Sequence, residues 1–170
     1  MRTPSKIAAL LLMVGISSTV QANSIITMQG TVVPSACTVD TDTADKQVDL
    51  GSFYRSQLIN AGQGGDWHDF SLLLKQCPEG THSATVTFNG TPDSDDATAF
   101  KNSGEANSVA LRLASADHDT TYSNGSTMEA LIDDSTRTAT FPLAARIFTP
   151  KGNAGSGSFN SVINVDFTYE

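Results

Sequence analysis

Cysteine is scarce in this 170-residue chain: two residues allow one bridge and cannot build a disulfide-dense scaffold. Basic residues are scarce as well, 10 Lys and Arg against 18 Asp and Glu, which gives a formal charge of −8. A nucleic-acid-binding module needs basic patches that displace counterions from phosphates, and docking on anionic lipid needs the same sign of charge. Both classes are therefore set aside. Charged residues reach only 16%, and the 13 glycines follow no strict period, which removes coiled coils and collagen-like chains. No apolar run approaches the roughly 20 residues that span a bilayer, so membrane insertion is not expected. At about 100–200 residues per domain, what remains is one acidic globular domain with a processed segment.

Motifs that carry chemistry are missing too. Gly155-Ser156-Gly157-Ser158 lacks the spacing of a nucleophile elbow and reads as a loop. His68, His82 and His118 stand alone, without the paired spacing of a zinc site. His68 beside Asp66 and Asp69 has the makings of a His–Asp pair, but a strand start with Trp67 packed at the end of the domain explains the same residues. Asp40-Thr41-Asp42-Thr43-Ala44-Asp45 starts like a calcium loop, then places Ala44 at the fifth position and Asp45 where Gly is needed. Asp93, Asp95 and Asp96 read as a solvated loop. Asn89-Gly90-Thr91 and Asn124-Gly125-Ser126 match the glycosylation sequon and read as turns. The expectation is a protein that is not an enzyme, with no catalytic residue, no cofactor and no metal.

What is present begins with an address. Arg2 and Lys6 precede the apolar run Ile7–Ile16, and Val20-Gln21-Ala22 supplies a small-x-Ala cleavage site, so residues 1–22 read as a signal peptide. Export changes how the cysteines read. Cys37 and Cys77 belong to no CxxC and have no His at ligand spacing, so in an oxidising compartment a structural disulfide is the natural assignment, with a pair of free thiols as the alternative.

The rest of the chain alternates with period two. Phe70, Leu72 and Leu74, then Ala84, Val86 and Phe88, then Val109, Leu111 and Leu113 each occupy one phase of a short run. Phe141–Phe148 is apolar-rich, with Pro142 suggesting an edge or a bulge. Ile163, Val165, Phe167 and Tyr169 alternate with Asn164, Asp166 and Thr168 to the last residues. Roughly seven strands separated by Gly-, Asp- and Pro-containing turns predict an all-β, immunoglobulin-like sandwich. Residues 24–33 alternate as well, and Pro34 can let them leave the body as an independent strand. An apolar strand at a chain end is an aggregation hazard without a dedicated partner; the other reading is that both terminal strands pair inside the sandwich.

The ends carry a resemblance. Gly157 ahead of Val162-Ile163-Asn164-Val165-Asp166-Phe167-Thr168-Tyr169-Glu170, the stretch with Gly30 and Val32-Val33 before Cys37-Thr38-Val39, and the internal Trp67-His68-Asp69 and Cys77-Pro78-Glu79-Gly80-Thr81 resemble the pilins of chaperone–usher fimbriae. The likeness is greatest to the small minor subunits of type 1 fimbriae. It implies an incomplete sandwich, lacking its last strand and completed by a donor strand from another chain. A periplasmic chaperone, then an outer-membrane usher and neighbouring pilin subunits, would be the partners, and a cell-surface fimbrium the destination. By position, residues 23–34 would be the donor extension, with Ser24, Ile26, Met28, Gly30 and Val32 facing the neighbour's groove, and 35–170 the pilin domain. Ser24 stands where an apolar residue is usual. Gly157, Ile163, Val165, Phe167, Tyr169 and Glu170 would meet the chaperone or border the groove, with Gly157 where the last strand begins. The family reading is a structural pilus subunit, a tip adaptor rather than a rod subunit, contributing to adhesion. A self-contained secreted β-sandwich that binds carbohydrate is the competing reading.

Overall fold

Nine strands form among the residues that the computed structural model describes, 25–30 and 36–170. The strands are β1 (Thr38–Val39), β2 (His68–Lys75), β3 (Ser83–Gly90), β4 (Phe100–Lys101), β5 (Ala110–Ser115), β6 (Thr121–Tyr122), β7 (Thr127–Leu131), β8 (Ala139–Phe148) and β9 (Ile163–Tyr169). One four-residue helix, α1 (Thr41–Ala44), and a 3₁₀ turn at Arg55–Gln57 complete the described elements. The chain divides into two units, Met1–Val32 and Val33–Glu170. In the first, residues 25–30 form no strand, and Ile25 and Met28 are 90% and 88% exposed. The signal peptide, Ser24 and Val32 lie outside the described residues. Among the described residues no helix is long and apolar enough to cross a membrane.

Two antiparallel sheets form the second unit. The larger runs β1-β2-β8-β5-β4, with β6 following β4 along the same edge of β5. The smaller runs β7-β3-β9. Inward residues of the long strands meet in one core, where Leu74, Val86, Phe88, Phe100, Phe141 and Leu143 are all but inaccessible. Side chains of that size each contribute on the order of 1.5–3 kcal/mol when fully buried.

Several local readings need correction. β8 is central, not an edge: β2 pairs with Ala139–Ala145 and β5 with Leu143–Phe148. Pro142 sits in the part of β8 that has β2 alone beside it, opposite Ser71, so its missing N–H leaves no ladder bond unmade. Asn89-Gly90 is not a turn. Both residues continue β3, opposite Asn164 and Ile163. A Cβ at Gly90 would lie 2.6 Å from the Phe100 ring. Asn124-Gly125 does turn, with Gly125 at φ +80°. The abortive calcium loop is α1, whose N-terminus is capped by Asp40 accepting from the Asp42 N–H. β7, Thr-Met-Glu-Ala-Leu, is built of helix-favouring residues and becomes a strand because Met128 and Ala130 face the core beside β3.

Two features hold the ends of the body in place. Cys37 and Cys77 form a disulfide across 40 residues, both side chains buried, and β1 pairs with β2 immediately alongside. The second is the approach to β9, which begins at Ile163 rather than at Gly157. From 158 to 160 the backbone is engaged elsewhere: Ala106 N–H donates to the Ser158 carbonyl and Ser103 N–H to that of Asn160. Asn160 N–H in turn donates to Asn102 Oδ1 at 2.8 Å. Gly157 passes so close to this loop that a Cβ would lie 2.6 Å from Ala106 N, at φ +148°. Only glycine allows both the approach and the conformation.

Replacing Cys77 by Ser releases a 40-residue loop, which is expected to cost about 4 kcal/mol in the chain-entropy picture. Urea unfolding midpoints of the two proteins measure it. Gly157→Val forces backbone apart from backbone and is expected to cost at least about 1–3 kcal/mol. The same titration reads that loss, and an unchanged midpoint would mean that the loop gives way freely.

Candidate functional site: an open edge of the sandwich

β9 has a neighbour on one side only. β3 pairs along its whole length, from Ala84 opposite Tyr169 to Gly90 opposite Ile163. Among the described residues nothing pairs with the other side. Glu170 and Ser83 exchange both backbone hydrogen bonds. By antiparallel alternation the N–H groups of Thr168, Asp166 and Asn164 also point to β3, and those of Val165, Phe167 and Tyr169 point to the open side. Such groups satisfy their hydrogen-bonding capacity only with water or with another strand.

Side-chain burial identifies the same defect. On β3, flanked on both sides, inward-facing Ala84, Val86 and Phe88 are 1%, 0% and 1% exposed. On β9, inward-facing Ile163, Val165, Phe167 and Tyr169 pack on the same core yet stay half-buried, alternating with exposed Asn164, Asp166 and Thr168. An apolar face directed at the core and still wet means that a layer of cover is missing above it.

The gap is a cavity of about 1100 Å³, at the upper limit of the roughly 300–1,000 Å³ of small-molecule pockets. Ile163 and Val165 form one wall; the segment 46–54, free of regular structure, forms the other, with Val48 and Leu50 turned inward. Core residues Leu111, Leu143 and Ile147 are its floor. Gly157 lies on its lining, whereas Phe167 and Tyr169 are further along β9, beyond the cavity, with Phe167 against Phe141 at 5.6 Å between ring centroids. Burial pushes the Tyr169 phenol above its ordinary pKa. The Glu170 backbone oxygen accepts from the N–H groups of His82 and Ser83, and its side chain is exposed. Ile26, Met28 and Gly30 are described but in no ladder. The wall at 46–54 was not foreseen: its single apolar alternation, Val48 and Leu50, is too short a signal.

Trp67 stacks on His118 with 4.5 Å between ring centroids, and the Arg146 guanidinium lies 4.4 Å from the Trp67 ring. It is His118, not His68, that faces Asp69, with Nε2 3.7 Å from the carboxylate. His68 opens β2.

Known proteins resemble this chain in sequence and in fold. The profile of the fimbrial protein family matches residues 26–170. Protein FimG of Escherichia coli K12 is 40% identical over 90% of this chain and 89% of its own length. The fimbrial-like protein YdeR of the same organism is 36% identical over 91% of this chain and 90% of its own length. In three dimensions the P pilus rod subunit PapA superposes with a TM-score of 0.67, covering 80% of this chain and all of PapA at 17% identity, a likeness of fold. An immunoglobulin-like sandwich short of one strand, with that sequence match over nearly its full length, identifies the chain as a member of the fimbrial protein family, a structural pilus subunit.

Proposed function

We propose that the open edge of β9 receives an extended strand from another chain, and that this subunit in turn supplies residues 23–34 to a neighbour. The observation that carries the reading is the half-wet inward face of β9 above a core-lined cavity. A strand laid there would bond the free N–H and carbonyl groups and dry the apolar face, which is recognition by strand addition. A periplasmic chaperone fills the gap first, along Ile163, Val165, Phe167 and Tyr169 and near Gly157 and Glu170. The usher then exchanges it for the extension of the next subunit.

On the donor side, Ser24, Ile26, Met28, Gly30 and Val32 face the acceptor's pockets, with Gly30 where the floor comes closest. Exposure of Ile26 and Met28 agrees with a segment that awaits a partner. The route is export through cleavage after Ala22, with residues 35–170 as the pilin domain and the cell-surface fimbrium as destination. Likeness to FimG supports a place as a tip adaptor without catalytic function. A self-contained sugar-binding sandwich is disfavoured, because a finished domain has no reason to leave the core face of a terminal strand wet.

The test is the periplasmic yield of the mature protein with and without a co-expressed fimbrial chaperone. Accumulation only with the chaperone, as a one-to-one complex, is expected. Equal yield of a cooperatively folding monomer without it would mean that the sandwich is already complete.

A further inference from the structure

Carboxylates outnumber cations around the cavity where a bound strand would meet water. On one wall Asp45, Gln47 and Asp49 are exposed and alternate with inward Val48 and Leu50. On the other, exposed Asp166 lies between inward Val165 and Phe167. Asp49 and Asp166 each spend one oxygen locally, on the Gly51 N–H and on Asn89 Nδ2, and keep the rest of their accepting capacity free. The lining also holds two exposed cations, Lys46 and Arg55. Arg55 Nε donates to the Ala154 carbonyl at 2.9 Å. Lys46 is exposed beside Asp45 and is close enough to Asp40 to help lower its pKa, an effect led by the Lys75 hydrogen bond.

A strand seated between these walls turns every second residue outward, with carboxylates as cross-strand neighbours on both sides. This chain's own segment has nothing to offer them. The side chains of residues 23–33 carry no charge, and with Ile26, Met28 and Gly30 inward the outward phase is Ile25, Thr27, Gln29, Thr31 and Val33.

We propose that the groove is selective for a strand of a different subunit that carries Lys or Arg at its outward-facing positions, with Asp45, Asp49 and Asp166 reading those positions. The proposal rests on the strand-acceptor reading and adds partner choice to it. Apolar pockets provide affinity for any alternating strand; the acidic rims separate a basic-faced strand from a second copy of this chain. Register makes the selection meaningful, because a slip by one residue would turn the cations inward.

Three labelled peptides test it by fluorescence polarisation as they displace the chaperone from its one-to-one complex with the mature chain: residues 23–33 as they stand, the same with T27K and Q29K, and the same with T27E and Q29E. At low salt the basic peptide is expected to bind about fivefold tighter than the unaltered one, and the acidic peptide more weakly, since exposed ion pairs each contribute modestly. The order is expected to flatten near about 0.5 M salt, and Asp49→Asn with Asp166→Asn is expected to erase it. Equal binding of all three peptides overturns the charge selection and leaves the strand-acceptor reading standing. Binding by none overturns that reading, and this one with it.

Discussion

An antiparallel sheet edge with its apolar face turned into the core is the constraint on which the rest depends. Unpaired backbone groups on β9 call for hydrogen-bond partners, and half-wet Ile163 and Val165 call for cover. Either demand alone is ordinary; exposed edges and surface apolar residues occur in many proteins. Together, along one strand and above one cavity, they specify the missing piece: an extended segment about seven residues long, apolar on one face. A small ligand would fill part of the space and leave the backbone unpaired.

The remaining structure keeps that gap open rather than letting it collapse. On one side the Cys37–Cys77 disulfide and the β1–β2 pairing hold the chain entering the 46–54 wall. α1 is tied to β2 through Leu73 N–H donating to Thr43 Oγ1. On the other side, hydrogen bonds between residues 102–106 and 158–160 place the run into β9, with Gly157 at the closest approach. Among the described residues neither wall pairs with the other.

Much of this was legible in the chain. Alternation in long runs found β2, β3, β5 and β9, an apolar-rich run found β8, and the inward and outward phases of β9 were read correctly because a period of two leaves no third choice. Two-residue strands β1, β4 and β6 were invisible, since alternation needs more residues than they have. β7 was hidden by helix-favouring side chains overruled by packing. Asn-Gly at 89–90 misled because turn chemistry describes what a dipeptide permits, whereas here Gly90 makes room for the Phe100 ring. The site was half legible: which residues of β9 face inward is local, but whether anything covers them is a property of the sheet order. Gly157 was noticed as a residue and misplaced as a strand start, because hydrogen bonds to a loop some 50 residues away decide where the strand begins.

Amide hydrogen exchange along β9 tests the central claim most directly, comparing the subunit alone with the subunit bound to an extended donor peptide. If the edge is open, the N–H groups of Val165 and Phe167 exchange fast in the free subunit, those of Asp166 and Thr168 are protected by β3, and binding slows the first pair. If Val165 and Phe167 are already protected in the free subunit, and binding leaves them unchanged, the edge is closed and the incomplete sandwich is not the basis of assembly.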